Sequence, residues 1–288
     1  MMSPEAKTAH WGARQALSKV PAVTVHFWII KILCTTVGET AADFLSSTLN
    51  LGLTTTTYVM AALLAVFLVF QFRAGTYRPW LYWLTVVLIS VVGTLITDNL
   101  TDGLEVPLET TTVVFALALI ATFAAWYARE RTLSIHTIST MRRESFYWLA
   151  ILFTFALGTA SGDLVAERLN MGYLPSAVMF GALIGVIALA YGVMKVNAVL
   201  TFWLAYILTR PLGASLGDYL SQPGDEGGLG LGTVVTSALF LIAIVGFVVY
   251  LTISGRDRDL RGAALPAHGR TASVGRARRA ADGRDHRR

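Results

Sequence analysis

Charge is scarce in this chain. Only 14% of its 288 residues are charged, against roughly a quarter in an ordinary soluble domain. The stretch from Gly255 to Arg288 alone holds ten Arg and four Asp, which leaves 13 basic and 14 acidic residues for the first 254. A body so poor in charge cannot clothe a soluble globule, and a chain that is 55% hydrophobic is not a disordered one. Cysteine is nearly absent too, and the lone Cys34 excludes an internal disulfide framework. No His/Cys cluster has zinc-ligand spacing, and His26 reads as an interfacial residue rather than a ligand. Neither a Walker loop nor a dinucleotide-binding glycine fingerprint occurs, and the glycine run from Gly227 to Gly232 follows no strand. Without a nucleophile–base pair, the sequence predicts no enzyme and no cofactor.

What is present is apolar sequence in long runs. A membrane helix needs about 20 mostly apolar residues. Eight stretches qualify, near 23–45, 55–72, 80–100, 110–127, 146–166, 176–194, 198–220 and 233–253. The expected fold is an all-α integral membrane protein. A short N-terminal segment (1–18) precedes the membrane domain (19–254), and an Arg-rich tail (255–288) reads as disordered. No cleavable signal peptide is expected, since the first 20 residues are polar. Lys and Arg collect on the cytoplasmic side of membrane proteins. With both termini inside, 20 of the 23 basic residues fall on that side, only Arg168 falls outside, and Lys31 and Arg210 lie within spans. Trp28, Trp80, Trp83, Trp126, Trp148 and Trp203 fall near the inner ends, where indole rings favour the interface.

The spans repeat. Trp, nine residues, Gly, four residues, Asp recurs as Trp28–Gly38–Asp43, Trp83–Gly93–Asp98, Trp148–Gly158–Asp163 and Trp203–Gly213–Asp218. The units, near 19–73, 74–130, 139–194 and 195–254, read as four tandem helical hairpins with pseudo-symmetry about the membrane normal. Thr54 to Thr57, Glu109 to Thr112 and Ser176 stand where they would cap even-numbered spans. The segments Lys19 to Thr24 and Lys31 to Thr40 carry a likeness. The chain resembles bacterial membrane-anchored proteins built from tandem copies of a repeat of unknown function. That resemblance implies a multi-span protein of the bacterial cytoplasmic membrane, and it implies no activity.

A helix turns by about 100° per residue. Counting from each Trp, positions +3, +7, +11 and +15 therefore form one stripe. It carries Lys31 (+3), Arg210 (+7), Glu39, Thr94 and Thr159 (+11), and all four Asp (+15). Small residues beside it, such as Gly162 and Gly217, permit close helix approach. Carboxylates in a membrane are costly and should face the bundle interior. Glu39, Asp43, Asp98, Asp163 and Asp218, with Thr94 and Thr159, form an oxygen-rich candidate pathway for a divalent metal ion or a proton. Lys31 and Arg210 would compensate its charge. Two function classes stand: a secondary carrier or channel for an inorganic cation, and a non-transporting membrane scaffold or partner subunit whose Asp residues only mark helix ends. The expected partners are the lipid bilayer and, at the basic tail, anionic lipid, with no nucleic acid.

Overall fold

The computed structural model describes residues 18–257, so the N-terminal segment and almost all of the basic tail lie outside it. Eight long helices follow one another among the described residues. They are α1 (Val25–Asp43), α2 (Leu53–Arg73), α3 (Pro79–Asp98), α4 (Leu108–Glu130), α5 (Met141–Asp163), α6 (Tyr173–Met194), α7 (Ala198–Ser221) and α8 (Gly232–Ser254). The odd-numbered helices open on distinct signals. Thr24 and Thr140 accept hydrogen bonds from the backbone N–H of Phe27 and Arg143, Asn197 accepts from Val199 and Leu200, and Pro79 occupies the first position of α3.

The even-numbered helices do not use the expected caps. Gly52, Pro107 and Gly172 stand at the cap positions, while Thr57 and Ser176 lie inside the first turn and donate back to Leu53 O and Gly172 O. The chain must reverse within a few residues here. Asn50 and Gly52, and likewise Asn170 and Gly172, take positive φ to do so. The two Leu-Asn-x-Gly corners sit one half-molecule apart, as duplication of a pair of units requires. Before each corner α1 and α5 unwind into a wide π turn, at Phe44–Thr48 and Leu164–Arg168, and α3 does the same at Asn99–Gly103.

Packing sorts the helices into two layers. α1, α3, α5 and α7 form an inner ring in which α1 meets α3, α3 meets α5, α5 meets α7, and α7 returns to α1. Each even-numbered helix packs chiefly against the inner helix of the following unit: α2 on α3, α4 on α5, α6 on α7, and α8 on α1. The sequence suggests hairpins packed within each unit, whereas the main contacts run between units. The outer layer is apolar and bare, since only 11% of the apolar stretch of α2 or α6 is buried, against 78% for α3. Val59, Val66, Ile120, Val186 and Ile242 are among the side chains it leaves exposed. Seven helices are long and apolar enough to cross a membrane, which fits a multi-pass membrane protein. The eighth, α1, carries Lys31, Thr35, Thr36, Glu39 and Thr40, all buried. It can be polar because α3, α7 and α8 cover it.

The repeated glycines explain the register of the ring. A Cβ on Gly38 would overlap Ser90, one on Gly93 would come 2.6 Å from Phe155 Cβ, one on Gly158 would overlap Arg210, and one on Gly213 would overlap Thr35. Thr35, Ser90, Phe155 and Arg210 are the +7 residues of their units. Each glycine thus receives the +7 side chain of the next inner helix, and the fourth receives that of the first.

The repeated Trp residues do not form an interfacial belt. Trp83, Trp126, Trp148 and Trp203 are buried, and among the described residues only Trp28 and Trp80 keep substantial exposure. The reason lies one residue earlier, where every unit carries an aromatic: Phe27, Tyr82, Tyr147 and Phe202. Each of these rings meets the Trp of the next unit, as Phe27–Trp83, Tyr82–Trp148, Tyr147–Trp203 and Phe202–Trp28, at 5.6, 5.6, 6.3 and 5.6 Å between centroids. Such contacts favour burial over an interfacial seat. Outside this aromatic layer the segment after Ser18 straps across the same end, with Lys19 Nζ 2.7 Å from Glu144 and donating to Phe72 O, and Ala22 N donating to Asp257 O.

Candidate functional site

The stripe expected from helical periodicity faces the axis of the ring, and its residues form layers. From the aromatic end these are Lys31 with Tyr206 at +3, Arg210 with Thr35, Ser90 and Phe155 at +7, Glu39 with Thr94 and Thr159 at +11, and the Asp ring at +15.

Arg210 is fully buried and occupies the middle of this stack. Its Nη2 lies 2.6 Å from Glu39 Oε2, donates to Thr159 Oγ1 at 2.6 Å, and donates to Thr94 Oγ1 as well. Its Nη1 donates to Thr35 O at 3.3 Å. One guanidinium therefore engages the +11 residues of all three other inner helices, and its own helix supplies only Ala214 there. Pro211, the next residue, is held against Gly158 and Gly162 of α5. Burying this charge is costly, and the fixed geometry with Glu39 offsets the cost. Arg suits the position because its planar fork serves several acceptors at once.

Lys31 is separate from that network. It is 1% exposed, and its Nζ lies 4.1 Å from the ring centroid of Phe155 and 4.3 Å from that of Tyr206. Its Nζ has no hydrogen-bond partner among the described residues. A pairing of Lys31 with Glu39 fails on distance along the helix, since eight residues of rise separate them by about 12 Å.

Beyond Arg210 the axis turns acidic. Carboxylate oxygens of Glu39, Asp163 and Asp218 lie within 4.8 Å of one another. Glu39 lies close enough to interact electrostatically with each of the four Asp. Asp43 and Asp98 complete the ring electrostatically but stand outside the three-carboxylate cluster. None of the four Asp carboxylates accepts a hydrogen bond or forms an ion pair among the described residues, and Glu39 Oε1 is likewise without a described donor. Three such groups offer the hard oxygen ligands that Mg²⁺, Mn²⁺ or Ca²⁺ takes. They do not cap helix ends. Asp43, Asp98 and Asp163 close α1, α3 and α5 without a side-chain cap, and Asp218 lies within α7.

Periodicity alone brings Glu39, Thr94, Thr159, Arg210 and the Asp ring to one axis. The same stripe puts Tyr206 at +3 and Phe155 at +7, but the spacing does not show that their rings hold Lys31, and it misses the aromatic layer that closes the stack. The signal for that layer is in the sequence as a fourfold aromatic-Trp dipeptide.

Compared with known protein families, the chain matches a Repeat of Unknown Function (DUF347) four times in tandem, over residues 26–77, 81–132, 146–196 and 201–257. No match was found among curated proteins or solved structures. The chain belongs to this repeat family.

Proposed function

From membership in a family that brings no activity with it, we propose on the geometry of the axis that this is a membrane transport protein, a secondary carrier for an inorganic cation. The observation that carries the reading is the carboxylate cluster of Glu39, Asp163 and Asp218, in which the two Asp accept no hydrogen bond among the described residues and the deepest member, Glu39, pairs with the guanidinium of Arg210. Arg210 acts as a resident cation. A metal ion arriving from the Asp end competes with it for Glu39, and the guanidinium falls back on Thr94 and Thr159. The axis is filled by Arg210 and, further along, by the layer of Phe27, Tyr82, Tyr147 and Phe202. That occlusion favours a carrier, which must move to pass its ion, over an open channel. The helices would span a bacterial cytoplasmic membrane with both termini inside.

The test is cation flux into proteoliposomes, with Mn²⁺, Mg²⁺ and Ca²⁺ offered separately. Asp163→Asn and Asp218→Asn should abolish flux while leaving the thermal unfolding midpoint unchanged, because neither carboxylate holds a hydrogen bond that folding depends on. One observation favours a second reading, a non-transporting scaffold: Glu39, Thr94 and Thr159 already satisfy Arg210 Nη2 without any ion. Absent wild-type flux with every ion offered would overturn the carrier in favour of the scaffold.

A further inference from the structure

Lys31 is a buried cation that the Glu39 cluster does not absorb. Two ring faces, Phe155 and Tyr206, stand in for the hydrogen bonds that a hydrated ammonium makes, and they do so only in part. The Phe155 ring also lies 5.8 Å from Arg210 Cζ, so one aromatic face serves both cations. The ionisable groups around Lys31 include no carboxylate. Cys34 belongs to its own helix, and Tyr206 and Arg210 come from α7. One layer away Tyr82 of α3 and Tyr147 of α5 are hydrogen-bonded to each other at 2.5 Å. The only ionisable side chain of α8, Tyr250, packs against His26.

We propose that Lys31 is a proton-releasing site linked to the cation site: a metal ion bound at Glu39, Asp163 and Asp218 frees Arg210 from Glu39, and Lys31 then gives up its proton. This rests on the carrier reading above and adds the coupling ion to it. While Glu39 neutralises Arg210, Lys31 has a neutral ion pair beside it. Once the metal takes Glu39, an unpaired guanidinium and an ammonium share the Phe155 face with no anion between them. Arg cannot deprotonate, so the lysine is the group that yields. An N–H bond of Lys31 breaks, its electron pair stays on Nζ, and the proton goes to solvent water. The reverse step returns it when the metal leaves, so metal and proton travel in exchange.

The experiment is calorimetric titration of Mn²⁺ into the full-length protein in lipid nanodiscs. It is run at one pH in two buffers of different ionisation enthalpy, which gives protons released per bound ion. Wild type, Lys31→Met and Lys31→Arg are compared. Both variants should bind Mn²⁺, and wild type should release about one proton more per ion than either. The arginine variant keeps the charge without a releasable proton, so it carries the test if the methionine variant does not fold. Binding with equal proton release in all three would trace the protons to the carboxylates and overturn this inference, leaving the carrier reading intact. No binding of Mn²⁺, Mg²⁺ or Ca²⁺ by wild type would overturn both.

Discussion

Glu39 has two roles that one substitution cannot separate. It belongs to the candidate cation cluster, and it is the anion that Arg210 needs. Glu39→Gln leaves Arg210, which is fully buried, beside an amide in place of a carboxylate. Stranding a buried charge in this way costs about 3–5 kcal/mol. The thermal unfolding midpoint in detergent should therefore fall sharply. The double change Glu39→Gln with Arg210→Met should recover most of the loss, whereas a fall that persists in the double variant would mean that Glu39 acts on stability through something other than Arg210. At this scale the sequence is informative about position and weak about partnership. A rotation of about 100° per residue puts Glu39, Arg210, Lys31 and the four Asp on one stripe. Which cation pairs with Glu39 depends on rise and on the neighbouring helix, and a helical wheel contains neither.

The helices show the same division between what periodicity carries and what it omits. A recurring glycine on an apolar helix announces close approach, and here it marks four pockets. The occupant of each pocket is invisible until the order of the ring is known, because it is the +7 side chain of another inner helix, 52 or 62 residues further along the chain in three cases and 178 residues back in the fourth. Gly93→Ala and Gly158→Ala should each destabilise the protein by about 1–3 kcal/mol, the usual cost of overpacking. In the first case the new methyl meets Phe155 Cβ and the nearby Ala156 backbone, and in the second it meets the Arg210 stem. Gly185→Ala on α6 and Gly246→Ala on α8 are the contrast, since nothing lies within 4 Å of either added carbon. Those changes should be neutral or slightly stabilising by helix propensity. Thermal unfolding of all four would check the assignment. If the two pairs behaved alike, the glycines would be marks of ancestry and not of packing. The outer helices carry the least positional information in their sequence. Their lipid-like composition is uniform around the helix, so no face of α2 or α6 advertises which inner helix it covers.

For the whole molecule, the two ends of the ring differ in chemistry. Asp102, Glu167 and Glu226 gather near the Asp ring and interact with it or with one another. Toward the other end lie the aromatic layer, the Lys19 strap and the helix ends and loops bearing Arg73, Arg78, Arg131, Arg142, Arg143 and Lys195. All four inner helices run from the basic end to the acidic end, as the cyclic contacts of glycine with +7 and of aromatic with Trp require. The repeats are therefore parallel, and the polarity of the bundle is not cancelled by an inverted half. Because basic loops are retained in the cytoplasm, the aromatic end should face inward and the carboxylate cluster outward. Reporter fusions after Asp102 and after Pro223 should then read as external, and fusions after Arg142 and after Arg258 as internal. The consequence reaches the site itself. With this orientation the Glu39, Asp163 and Asp218 cluster lies on the outer side of Arg210 and the aromatic layer, so an ion carried as proposed would have to pass both to reach the cytoplasm. An external reading at Arg142 would invert the molecule, and the same carboxylates would then lie on the cytoplasmic side of Arg210.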